Sequence, residues 1–160
     1  MATPTGTFDP ARAGQTILIV DDEVDILTTL GAFLESAIPS VKVVTAQSGL
    51  LGLKELATAA PDLIISDFKM PGMDGLQFLA EARKVRPGTP AILITAYPDM
   101  DLAIRALNEE RIQHFCAKPI EPQEIADVVR AILIERLAKQ QREKALARSL
   151  EQLRRQAESS

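Results

Sequence analysis

Asp21, Asp22, Asp67 and Lys118 are three carboxylates and one ammonium, each placed at or just past a short apolar run: residues 17–20 (ILIV), 63–65 (LII) and, more weakly, 112–117. A fourth run, 91–94 (AILI), ends at Thr95. Short runs of this kind, β-branched-rich and bounded by charge or turn residues, read as buried strands of a parallel sheet. If the four strands share one direction, their C-terminal ends gather at one sheet edge, where open α/β folds bind ligands. Asp21, Asp22, Asp67, Thr95 and Lys118 would then stand together. Acids held that close repel one another, so the cluster calls for a hard cation. A carboxylate at such an edge can also attack phosphorus and give an acyl phosphate.

The elements that must position these groups alternate along the chain. Residues 1–15, rich in Thr, Pro, Gly and Ala without a period, read as a disordered tail. Ile26, Leu27, Leu30, Phe33, Leu34 and Ala37 fall at helical spacing, closed by Pro39. A strand is expected over 41–45, a helix over 48–60, and a loop at Pro71-Gly72 and Asp74-Gly75. Leu76, Phe78, Leu79 and Ala82 begin a further helix that stops before Pro87-Gly88. Asp99 caps a helix through about Glu109, and Glu121-Pro122 opens the last one. Five βα units result, and right-handed crossovers make the sheet parallel with helices on both faces.

The last helix runs on. From Pro122 to Ala157 no Gly or Pro interrupts a composition of Ala, Leu, Glu, Gln, Lys and Arg, which predicts a helix roughly 50 Å long. From residue 135 onward seven basic residues face four acidic ones, a surplus of three in a chain whose net charge is −4. Leu146, Leu150, Leu153 and Ala157 follow the 4-3-4 spacing of a coiled-coil seam, but Arg136, Lys139 and Glu143 interrupt that frame further back.

Bulk composition excludes several classes. A hydrophobic fraction of 46% and a charged fraction of 25% suit an ordinary globular domain with an extension. The negative net charge gives no global signal for nucleic acid or an anionic membrane. One cysteine, Cys116, cannot close an internal disulfide, which fits a cytoplasmic setting. Neither a transmembrane span nor a signal peptide is read in the chain.

Taken in order, Val20-Asp21-Asp22-Glu23, then Asp67-Phe68-Lys69-Met70-Pro71-Gly72-Met73-Asp74-Gly75, then Thr95-Ala96, then Phe115-Cys116-Ala117-Lys118-Pro119, the chain strongly resembles the receiver domain of two-component response regulators, over about residues 16–135. Any one string is weak; the ordered set is specific. The resemblance implies a flavodoxin-like (βα)5 doubly wound sheet with strand order 2-1-3-4-5, carrying an extended C-terminal helix. It makes Asp67 the phosphoacceptor for a histidine kinase or phosphotransfer protein. It implies Mg2+ held directly by Asp22 and Asp67, through water by Asp21, and by the backbone carbonyl of Lys69. Lys118 would neutralise phosphoryl oxygens, Thr95 would give them a hydroxyl and Ala96 a backbone N–H. Thr95 and Phe115 would form the switch, and Lys69 and Tyr97 would border the path of attacking water.

Two other readings of the same sheet edge fail on residue type. An FMN site needs a phosphate loop after strand 1, where Asp21, Asp22 and Glu23 would repel phosphate. A dehalogenase-like phosphatase needs a second acid two residues past the nucleophile, where this chain has Lys69. The expectation is therefore a phosphoacceptor that catalyses only its own phosphorylation and dephosphorylation, not a turnover enzyme. Residues 136–160 are read as a helical extension, a coiled coil or a linker. It would serve a homodimer or a partner protein, or lead to an enzymatic or DNA-binding output domain in a longer regulator. Direct contact with nucleic acid or a membrane is not expected.

Overall fold

The structure, a computed structural model, describes residues 14–39, 41–109 and 112–159. Five strands alternate with five helices: β1 (Thr16–Val20), α1 (Val24–Ala37), β2 (Lys42–Ala46), α2 (Gly49–Ala59), β3 (Leu63–Asp67), α3 (Gly75–Val85), β4 (Ala91–Thr95), α4 (Met100–Glu109), β5 (His114–Ala117) and α5 (Pro122–Glu158). All pairings are parallel, and the sheet order is β2-β1-β3-β4-β5. The order reverses beside β1, between β1 and β3, so the crevice at their C-terminal ends is the expected ligand site.

Strand side chains alternate between the two faces. Ile17, Ile19, Leu63, Ile65, Ile92 and Ile94 pack with Leu27, Leu30 and Leu34 of α1 and with Ile125, Val129 and Leu133 of α5. Leu18, Val20, Ile64 and Leu93 pack with Leu56 of α2, Leu76, Phe78 and Leu79 of α3, and Leu102 and Ala106 of α4. β3 and β4 are buried at every position, as central strands covered on both faces must be.

The two edge strands are where the expected bounds move. The strand expected over 41–45 lies at Lys42–Ala46, and the run 112–117 is ladder only from His114. Val41 and Ile112 are buried in the core yet lie outside the ladders, so their apolar character marked the core rather than strand pairing. The tail expected over 1–15 falls, as far as residue 13, outside the described residues. Gln15 at its end is buried, and its carbonyl accepts from Lys42 N–H at 2.9 Å.

Local chemistry sets the helix starts. Ser48 Oγ accepts from Leu51 N–H, and Asp99 Oδ1 accepts from Leu102 N–H, each satisfying an orphan amide. Asp74 and Gln77 form a reciprocal capping box at α3. The Asp74-Gly75 pair, expected as loop, is thus a cap and the first helical residue. α2 ends at Ala60, which takes the left-handed conformation at φ +46°.

α5 spans 37 residues, close to the expected length. Two arginines fasten its first half. Arg130 Nη2 donates to the Ala37 carbonyl at 3.0 Å, at the end of α1. Arg136 donates to the Gly88 carbonyl at 2.9 Å and pairs with Asp62 at 3.4 Å, while Asp62 Oδ2 accepts from Thr16 N–H. Past residue 140 the helix leaves the domain, and Leu146, Leu150 and Leu153 are 60%, 57% and 61% exposed.

Candidate functional site

Asp21, Asp22, Asp67, Thr95 and Lys118 each lie at or just past a strand end. β1 delivers Asp21 and Asp22, β3 ends in Asp67, β4 ends in Thr95, and Lys118 follows β5. Backbone hydrogen bonds prolong the pairing into the loops: Asp21 N–H to Ala46 O, Phe68 N–H to Ile94 O and Lys118 N–H to Thr95 O at 2.7 Å. The carriers of the functional groups are therefore held by the sheet itself rather than by free loops.

At the centre, Lys118 Nζ lies 3.3 Å from Asp21 Oδ2, 3.3 Å from Asp67 Oδ1 and 3.0 Å from Glu23 Oε1. Asp21 Oδ1 also accepts from Glu23 N–H at 2.8 Å. Asp21 and Asp67 are buried, while Asp22 is exposed. Asp21, Asp22 and Asp67 each offer a carboxylate oxygen, and these oxygens lie within 4.8 Å of one another. One ammonium does not balance these acids. Hard oxygen donors at this spacing, with a surplus of negative charge, fit a Mg2+ ion, which takes one or two carboxylates and keeps waters.

The remaining groups surround this centre. Thr95 is fully buried and its Oγ1 accepts from Tyr97 N–H at 3.0 Å; Ala96 is exposed beside it. Lys69 stands in the loop after β3, with its Nζ 5.2 Å from the ring centroid of Tyr97, a cation–π contact spanning from the β3 side to the β4 side. Phe115, half-buried on β5, packs on the face shared with α4. Two residues given no role in the sequence reading complete the site. Glu23 provides the shortest contact to Lys118. Gly75 lets α3 approach the end of β3, its N–H donating to Phe68 O at 2.6 Å. The signal for Glu23 was its place beside the acid pair. That for Gly75 was hidden in an ordinary turn dipeptide.

Electrostatics follow from this packing. Burial, then the Asp21 charge, push the Asp67 carboxyl up to about 6 against the opposing pull of Lys118. Burial also raises Asp21, against the Glu23 amide and Lys118. Burial pulls the Lys118 ammonium down, but its hydrogen bond to Glu23 and the charges of Asp21 and Asp67 outweigh that, and the net shift is upward.

A folded-state pKa near 6 against the ordinary 3.8 means that Asp67 favours the fold below about pH 4, and that this contribution is lost as pH rises through 6. In buffer with a metal chelator, Asp67→Asn is therefore expected to stabilise the protein above pH 6 by on the order of 2 kcal/mol. Lys118 keeps Asp21 and Glu23 as partners in that variant. Thermal melts from pH 4 to 8 check it: the gain should vanish toward pH 4, and a pH-independent difference would contradict it.

Comparison with known proteins agrees with this geometry. Residues 17–130 match the family described as the response regulator receiver domain. The transcriptional regulatory protein GlrR of Escherichia coli (strain K12) is 41% identical over 105 residues, 66% of this chain and 23% of that protein. The cyclic di-GMP phosphodiesterase response regulator RpfG of Xanthomonas campestris pv. campestris (strain 8004) is 35% identical over 119 residues, 73% of this chain and 31% of that one. The chain thus spans about a quarter to a third of these relatives' lengths. A CheY-like response regulator receiver domain protein from Methanospirillum hungatei JF-1 superposes with a TM-score of 0.73 at 29% identity, covering 78% of this chain and 98% of that one. With the parallel sheet in its 2-1-3-4-5 order, the acids and lysine at its strand ends and a family match over most of its length, this chain belongs to the receiver domains of two-component response regulators.

Proposed function

We propose that Asp67 accepts a phosphoryl group from a histidine kinase or phosphotransfer protein in a Mg2+-dependent reaction, and that the modified domain changes its protein–protein contacts. The observation that carries this reading is Lys118 Nζ set 3.3 Å from both Asp21 and Asp67, inside a cluster of three carboxylates. An Asp67 carboxylate oxygen attacks phosphorus, the bond from phosphorus to the donor nitrogen or oxygen breaks, and the donor leaves with the bonding pair. Asp22, Asp67 and the Lys69 carbonyl would hold Mg2+ directly, and Asp21 through water. The ion, when bound, neutralises charge on the phosphoryl oxygens. Lys118 pairs with one of those oxygens as a point charge. Thr95 turns its hydroxyl from Tyr97 N–H toward the new group, Ala96 offers a backbone N–H, and Phe115 follows Thr95 inward. The domain catalyses its own modification and its reversal, and turns over no separate substrate. Incubation with Mg2+ and acetyl phosphate, followed by intact-mass measurement, tests this. One added phosphoryl group, lost when Mg2+ is withheld, is the expected result.

The lifetime of that group follows from Lys69 and Tyr97. Both are bulky, they touch each other, and neither carries a carboxylate or amide to orient a water. Slow autodephosphorylation is expected. Loss of the phosphoryl group within seconds in Mg2+ buffer would contradict it.

The setting proposed is cytoplasmic, and among the described residues no helix is long and apolar enough to cross a membrane. For the output, two readings stand. Exposed Leu146, Leu150 and Leu153, with Ala157, favour burial of the α5 extension against a second copy, since a lone exposed helix gains little stability. The length of the relatives favours a longer regulator whose output domain follows α5. Sedimentation at tens of micromolar is expected to show a dimer that Leu146→Asn with Leu150→Asn dissociates. A monomeric parent chain would remove the self-association reading.

A further inference from the structure

Resting on the phosphoacceptor reading, we propose that Glu23 is a positioning residue: a releasable partner that occupies Lys118 until a phosphoryl group on Asp67 takes its place. An ammonium has three N–H donors. Lys118 Nζ donates to Asp21 and Glu23 and stands 3.3 Å from Asp67 as an ion pair, so two of its three N–H groups are engaged away from Asp67. For the ammonium to turn fully onto a phosphoryl group at Asp67, one of those two partners must give way.

The three are not equivalent. Asp21 is 2% exposed, and losing Lys118 would leave a buried charge unpaired, which is costly. Asp67 carries the new group. Glu23, whose side chain is 60% exposed, is rehydrated on release, and exposed ion pairs contribute little. It also forms the shortest of the three contacts, at 3.0 Å. Glu23 is therefore the partner that a phosphoryl oxygen displaces.

A second observation separates this role from a structural one. Glu23 stands at the N-cap of α1, yet its side chain makes no cap hydrogen bond; its backbone alone serves the cap, the N–H donating to Asp21 Oδ1 and the carbonyl accepting from Ile26 and Leu27 N–H. A glutamate is a poor choice at a position that favours Ser, Thr, Asp or Asn. Its side chain is turned across the site to Lys118 instead. Removing that side chain therefore takes nothing from the helix.

The experiment compares the parent chain with Glu23→Gln and Glu23→Ala. The chain has one tyrosine, Tyr97, and no tryptophan, so its intrinsic fluorescence reports a ring beside the site. Mg2+ alone is titrated first, then beryllofluoride, a phosphoryl mimic, at saturating Mg2+, with calorimetry as a second readout. In Glu23→Ala, Mg2+ binding is expected to weaken about two- to threefold, from one less carboxylate near the ion. Beryllofluoride affinity is expected to rise roughly three- to tenfold, from a pre-released ammonium donor. Glu23→Gln should fall between, because a neutral acceptor holds the ammonium less firmly. Melting temperature without metal should not change.

Opposite signs for the two ligands support the proposal, since general damage would weaken both. Unchanged or weaker beryllofluoride binding in both variants, with the parent chain binding normally, overturns it and leaves the phosphoacceptor reading intact. A parent chain that binds no beryllofluoride with Mg2+ overturns both.

Discussion

Asp67→Asn is expected to acquire no phosphoryl group from acetyl phosphate in Mg2+ buffer, under conditions that fully modify the parent chain. The loss should exceed about a hundredfold, the scale on which removing a covalent nucleophile acts. Two other acids stand within 4.8 Å, so the claim is about selectivity among neighbours. Asp21 has Oδ1 tied to the Glu23 amide and Oδ2 to Lys118, leaving neither oxygen free to attack. Asp22 is exposed, so solvent competes for its oxygens and blunts the carboxylate as a nucleophile. Asp67 ends a fully buried strand, where the Phe68 amide and the sheet fix its backbone. Asn keeps that shape without the nucleophilic oxygen. Intact mass before and after incubation checks the result. Labelling of the variant at the parent's rate would move the acceptor elsewhere.

Gly75→Ala is expected to lose roughly 3 kcal/mol of stability, as overpacking at a backbone contact does, together with most of the phosphorylation rate. A Cβ at Gly75 would overlap the Asp67 carbonyl oxygen and come within 2.9 Å of both Phe68 Cα and Leu93 Cδ1. Two of these three atoms are backbone on β3 and the residue after it, so no rotamer change relieves the overlap. The first turn of α3 must retreat, lengthening the 2.6 Å bond from Gly75 N–H to Phe68 O, or Asp67 must shift. Either movement spoils a site whose groups act by position. Gly72, in the same loop at φ +82°, serves as the contrast, because a Cβ added there would meet nothing within 4 Å. Gly72→Ala should cost strain alone and leave Asp67 in place. Urea melts and labelling rates of the two variants separate the effects. Equal losses would refute the close-approach argument.

Much of this was legible in the chain because buried parallel strands announce themselves. The runs before Asp22, Asp67 and Thr95 are apolar on both faces, so their ends, and the chemistry placed on those ends, could be located without coordinates. β2 and β5 were harder: at the sheet edges the burial pattern is mixed, and Val41 and Ile112 belong to the core without belonging to a ladder. Glu23 escaped notice because an acid near a helix start is ordinarily explained by capping and the helix dipole, and its partner Lys118 is 95 residues away. Gly75 escaped because glycine after aspartate reads as turn freedom. Its actual use is the absence of a side chain against the end of β3.

The two arginines on α5 make a hinge and a boom of that helix. Its root at Pro122 lies four residues past Lys118, and Arg136 ties it to the domain body at Gly88 and Asp62. From residue 140, where it leaves the domain, to Glu158 the helix projects roughly 27 Å at 1.5 Å per residue. Swinging such a boom through about 5° would carry its far end sideways by about 2 Å, and Leu146, Leu150 and Leu153 by about 1 to 2 Å, while the root moves by a fraction of an ångström. A displacement at the strand ends too small to unsettle either core would thus grow along the helix to the size of gap, about 1 Å, that already forfeits much of a leucine contact.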